Sequence, residues 1–176
     1  KESVKNMGQR DEIKTIRARN ISLNLSDADV KSLCEKSGCV GLTVSKLLEN
    51  FIGDLVCGTY SNGSDERDLA QSWFARCGFS WMNGYSFLNY LIDFDDVEET
   101  IDCWNDLIYY RELKEADEDD KEFLEELEEL MSDKFKDFQG YRKVGDKEVT
   151  LADEMEKVIN WWNEYNQIKG LEVVDD

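Results

Sequence analysis

Residues 15–25, TIRARNISLNL, end in strict alternation: Ile21, Leu23 and Leu25 fall on one side, and Asn20, Ser22 and Asn24 on the other. A two-residue period is what a strand with one buried face requires, so a short strand is expected here. The pattern then turns helical. Ser26, with Asp29 three residues on, has the form of a capping box and predicts a helix from about Asp27, with Val30, Leu33 and Cys34 on one face. Gly38 and Gly41 interrupt it. Thr43 or Ser45 opens a second helix whose apolar positions are Leu47, Leu48, Phe51, Ile52, Leu55 and Val56. Gly58 and the polar stretch TYSNGS close this unit.

Helical spacing dominates the remainder. Ser64 is expected to cap DERDLAQSWFARC, and Ser86 a short FLNYLIDF. A long helix is expected from about Asp96 to Ala116. Another should run from about Asp119 to Gln139, with Phe123, Leu127, Leu130, Met131, Phe135 and Phe138 in phase. Residues 140–148 suit a loop or tight hairpin. Thr150 with Asp153 starts a last helix striped by Leu151, Met155, Val158, Ile159, Trp162 and Tyr165, and Gly170 ends it. The aromatic groups Trp73, Phe74, Phe79, Trp81 and Trp161, Trp162, Tyr165 are expected to be core. Adjacent Trp161 and Trp162 cannot both face it, so one of them should pack elsewhere.

Composition makes this a folding chain: hydrophobic residues are 41% of the 176, too many for an acidic disordered polymer. Five scattered Cys without a CxxC suggest reduced, mostly buried thiols in a cytoplasm. No run reaches the length of a membrane span and no apolar leader is apparent, so no membrane partner is expected. The charge is uneven. Residues 1–50 hold nine Lys/Arg and seven Asp/Glu, whereas residues 51–176 carry a net charge of −21.

The phasing of Leu25-Ser26 against Gly41-Leu42-Thr43-Val44-Ser45 resembles the ribbon-helix-helix family of the Arc and MetJ type, over residues 15–57. With the helical spacing and charge of the remainder, the chain is expected to be mainly α in three parts: a flexible arm at 1–14, the ribbon-helix-helix module that the resemblance implies at 15–58, and an acidic domain of about five helices at 59–176. The resemblance also implies a homodimer, because one strand and two short helices cannot bury both faces alone. Ile21, Leu23, Leu25, Leu33, Leu47, Leu48, Phe51, Ile52 and Leu55 would form its core. In that family the paired ribbon enters the DNA major groove. By position Asn20, Ser22 and Asn24 would meet bases, Arg17 and Arg19 phosphates, and Thr43 to Ser45 a phosphate at a helix N-terminus.

The second candidate surface is acidic. Glu112 to Asp133 holds twelve Asp/Glu against Lys114 and Lys121. Continuously helical, those residues would span about 33 Å, with one net charge per roughly 3.3 Å, near the ~3.4 Å phosphate spacing of one DNA strand. Glu118, Asp119, Glu122, Glu125, Glu126, Glu128 and Glu129 would form a face for a basic nucleic-acid-binding protein or nuclease.

Chemistry is poorly provided for. There is no His and no nucleotide-binding or nucleophile-elbow motif, so neither catalysis nor a cofactor is expected. Asp93 to Trp104 and Asp117 to Glu128 each lack the Gly of a calcium loop, so no metal site is expected.

In organisation and charge the chain resembles small acidic products of phages and mobile elements, notably anti-CRISPR inhibitors of the Cas9 type of nuclease. Two functions follow as expectations. One is a non-enzymatic dimeric inhibitor whose acidic domain blocks a basic nucleic-acid-binding protein. The other is a ribbon-helix-helix repressor bound to operator DNA.

Overall fold

A computed structural model describes residues 13–79, 84–115, 117–143 and 145–170. Trp81 and residues 1–12 of the expected arm lie outside them. Seven helices are described: α1 (Asp27–Gly38), α2 (Val44–Leu55), α3 (Ser64–Arg76), α4 (Phe87–Asp93), α5 (Val97–Glu112), α6 (Glu118–Tyr141) and α7 (Leu151–Lys169). Contacts divide the chain into two units, Lys1–Phe79 and Ser80–Asp176.

The expected strand is not there. Among the described residues there is no β-strand, and residues 16–26 carry no regular structure. Ile21, Leu23 and Leu25 are 54%, 58% and 48% exposed. A strand needs a ladder partner as well as alternation, and among the described residues no second strand stands beside this segment. The ribbon-helix-helix assignment therefore fails, and with it the fold of one strand plus helices: the described chain is helical throughout.

In the first unit, helix starts follow local chemistry. Ser26 and Asp29 form a reciprocal capping box on α1, and Thr43 accepts from the Lys46 amide at the start of α2. At α3 the cap is Gly63, with Ser64 the first helical residue rather than the cap. The loop after α2 folds back on that helix. Cys57 takes a left-handed φ of 56°, and the Gly58 amide donates to the Gly53 carbonyl at 2.7 Å. A Cβ on Gly53 would sit 2.7 Å from the Ser61 nitrogen, so only glycine admits this approach. Asp54, buried beside it, accepts from the Asn62 amide at 2.6 Å and from Asn62 Nδ2 at 2.8 Å. Gln71 Nε2 then donates to the Leu55 carbonyl at 2.5 Å, tying α3 to α2.

The second unit has a continuous core. Phe87, Tyr90 and Leu91 of α4, Ile101, Cys103 and Leu107 of α5, Leu127, Met131 and Phe138 of α6, and Met155 and Val158 of α7 are all buried. Helix α7 is anchored through a charge. The Glu154 carboxylate, 2% exposed, accepts from the Phe87 amide at 2.8 Å and is neutralised by Lys157. Phe87 opens α4, so the carboxylate satisfies a donor that the helix itself cannot.

Two outcomes test these anchors. Glu154→Ala leaves the Phe87 amide without its acceptor and should lower the stability of the second unit by about 2 kcal/mol in urea unfolding. The two Asn62 donors, side chain first, hold the Asp54 carboxyl below its ordinary value of 3.8. A carboxylate with a depressed folded pKa stabilises the fold above the unfolded value, and that contribution is lost as pH falls through the folded value. Hydrogen-exchange protection of α2 and α3 should therefore decline on acidification below about pH 4, and Asp54→Asn should flatten that decline.

Candidate partner-binding surface

Charge and contacts divide the chain at the same place. Lys1–Phe79 contains eleven acidic and eleven basic residues, and Ser80–Asp176 contains 29 and ten, so the whole net charge of −19 belongs to the second unit. Within it the carboxylates concentrate on α5 and α6, which pack against each other.

Residues 112–133 are not one helix. Helix α5 ends at Glu112, Leu113 turns away with φ −60° and ψ 122°, and α6 starts afresh at Glu118. Asp117 is its cap, exchanging hydrogen bonds with Asp120 at 2.9 and 3.0 Å. The span of about 33 Å that residues 112–133 would have if continuously helical does not occur; the two helices expected at about 96–116 and 119–139 are present instead and pack as a hairpin. Helix α6 alone, 24 residues, extends about 36 Å.

On α6 the buried Leu127, Met131 and Phe138 set the inner face. Opposite them Glu118, Glu122, Glu125, Glu129 and Asp133 recur at intervals of three or four residues, all exposed. Glu126 and Asp119 flank this stripe and are exposed as well. Helix α5 adds exposed Glu98, Glu99, Asp102 and Asp106, which the reading of the sequence alone did not single out. Their signal was present, as carboxylates at i,i+4 opposite an apolar stripe. Together α5 and α6 carry fifteen carboxylates and four bases, a net of −11. Along about 36 Å that is one net charge per roughly 3.3 Å, reached by two rows rather than one.

Two ion pairs fix the hairpin. Arg111 Nε and a terminal guanidinium nitrogen donate to the same oxygen of Glu128 at 3.0 and 2.7 Å. Glu128 is therefore a hairpin clamp as much as a surface charge. At the other end Lys134, 13% exposed, reaches back from α6 to Asp96 and to Thr100 Oγ1. Beside it, burial pushes the Cys103 thiol above its ordinary pKa, which keeps it protonated and unreactive. The other four cysteines are exposed, contrary to the expectation of mostly buried thiols.

The aromatic groups separate. Trp162 packs against the core of the second unit, while Trp161 stacks on Tyr165 with ring centroids 5.5 Å apart and planes 7° from parallel. Trp73, Phe74 and Phe79 are in mutual contact but exposed, so they are not core in this chain.

The residues expected to meet DNA are not gathered into a site. Arg17, Arg19, Asn20, Ser22 and Asn24 are exposed along the irregular segment, where Arg19 donates to the Thr15 carbonyl at 3.2 Å. Thr43 is occupied as the α2 cap, and Ser45 is exposed in its first turn. Of the proposed dimer core, Leu33, Leu47, Leu48 and Leu55 are half-buried, and Phe51 and Ile52 are exposed like the three alternating residues. Among the described residues no group of His, Cys, Asp or Glu is arranged to hold a metal ion, and no helix is long and apolar enough to cross a membrane. No protein-family model, curated protein or solved structure matches the chain.

The hairpin clamp has a measurable consequence. Lys134→Met keeps the aliphatic stem but leaves Asp96 half-buried without its cation. It should lower the unfolding free energy of the second unit by about 2 kcal/mol. Adding Asp96→Asn should recover part of that loss in a double-mutant cycle.

Proposed function

We propose that the Ser80–Asp176 unit is a non-enzymatic inhibitor that occupies the basic nucleic-acid-binding surface of another protein. The observation carrying this reading is the hairpin's outward charge: the carboxylates of its stripe are exposed and mostly uncompensated. Lys121 with Glu118 is the ion pair that falls on the stripe itself. Solubility asks for a net charge of a few units on a small domain, and this unit exceeds that severalfold. Repulsion between Glu residues at i,i+4 costs helix stability, and a basic partner would relieve it.

A partner that binds a polyanion offers spaced Lys and Arg along a groove. The carboxylate stripe of α6, from Glu118 to Asp133, meets such a groove over about 22 Å, with the α5 carboxylates adding to the long-range attraction that speeds the encounter. A nuclease with a basic DNA channel, of the Cas9 type in its sharpest form, presents such a surface. A product of a phage or mobile element acting in a reducing cytoplasm fits the four exposed thiols, which would cross-link in an oxidising compartment.

The test is competition. The protein should displace DNA from a Cas9-type nuclease or another basic DNA-binding protein, with an affinity that falls as salt rises. Reversing Glu122, Glu125, Glu126 and Glu129 to Lys, with Glu128 kept for Arg111, should abolish displacement while helical content is retained. Undiminished displacement by that variant would reduce the acidic stripe to a solvated helix face.

A further inference from the structure

The first unit lacks what the second has. Among its described residues Ala70 is the one buried hydrophobic side chain, with Ser37, Gly53 and Asp54 the other buried positions. A folded unit of this size depends on burying apolar surface, and one Ala is far from sufficient. Four leucines, Leu33, Leu47, Leu48 and Leu55, are half-buried, and its aromatic side chains on α2 and α3 are largely outside. Phe51, Trp73, Phe74 and Phe79 are 45%, 46%, 42% and 48% exposed. They form one patch: Phe51 meets Trp73 edge-on at 5.7 Å, Trp73 meets Phe79 at 6.1 Å, and Phe79 meets Phe74 at 5.4 Å. Leu69, one turn before Trp73 on α3, is 70% exposed.

We propose that this α2–α3 aromatic face is covered by the same face of a second copy of the chain, so that the first unit completes its core as a homodimer.

The area fits. Four aromatic side chains of 150–250 Å² each, nearly half exposed, leave roughly 300–450 Å² of apolar surface before Leu69 is added. Two such faces supply roughly 600–900 Å² before Leu69 and the rim are added, close to the ~1,000 Å² that a small specific interface needs. The charge chooses the occupant. Lys1–Phe79 has no net charge, so two copies of it meet without the repulsion that the acidic units would impose. A core deficit also calls for an occupant that is always present in equal amount, and the chain itself is one. A two-fold contact places identical patches together, and edge-to-face rings are self-complementary in that arrangement. The contact joins helical faces and rests on no property of the acidic hairpin.

Sedimentation equilibrium of the full chain, with hydrogen exchange over the same concentrations, tests it. Two copies are expected, with protection of α2 and α3 rising as dimer forms. Trp73→Ala should weaken association by about tenfold or more. Leu69→Glu should do the same, and because that side chain is already mostly in solvent, it leaves the single chain's packing intact. A monomer at every concentration overturns the proposal. So does a dimer whose Kd ignores both substitutions, or α2–α3 protection independent of concentration.

Discussion

Self-repulsion is the constraint on which the second unit is built. Twenty-nine carboxylates and ten bases share Ser80–Asp176, and every pair of like charges opposes compaction. The unit answers with a dense aromatic and aliphatic interior and spends its scarce cations where they hold helices together. Lys134 joins α6 to the start of α5, Arg111 joins α5 to α6, and Lys157 neutralises the buried Glu154 that fastens α7 to α4. Four of the aromatic rings, Phe87, Tyr90, Phe135 and Phe138, pack within about 6 Å of one another at the junction of α4 and α6. With three of the ten cations engaged in these contacts and Lys121 the base paired on the stripe, the outer stripe stays negative.

The first unit solves a different problem with less material. Its polar contacts are well made: Asn62 on Asp54, Gln71 on Leu55, and a glycine that lets a loop lie against a helix. Hydrogen bonds of this kind fix geometry while adding little net free energy each, because water would have served the same groups. What they cannot supply is apolar burial. A second surface against α2 and α3 would make up that difference.

Signals that act within four residues were legible in the sequence. Ser26 with Asp29, Thr43, Ser86 and Thr150 cap where their spacing says they should, because a cap needs only the next turn. Gly170 ends α7 in the left-handed conformation expected of it. The failures came where the answer lay farther off or turned on backbone conformation. Alternation at Ile21, Leu23 and Leu25 describes a strand only if another strand is beside it, and local pattern carries no word of that. Gly63 took the cap from Ser64 because glycine alone tolerates a φ of 155°. The break between α5 and α6 was legible as the gap between the helices expected at about 96–116 and 119–139, although no Gly or Pro marks it. Its cap, Asp117, was not, because it cannot be told from its neighbours where nearly every residue is acidic.

That break changes the acidic surface in a way a single rod would not. One continuous helix places charges along a line, and a partner's groove must follow it closely. The hairpin sets α5 beside α6, so carboxylates lie in two rows whose separation is fixed by packed side chains, Arg111 and Lys134. Rigidity matters here because ordering long flexible side chains on binding costs free energy that a preorganised support has already met on folding. The same cations that allow an acidic chain to fold thus hold α5 and α6, and the carboxylates they carry, in one arrangement.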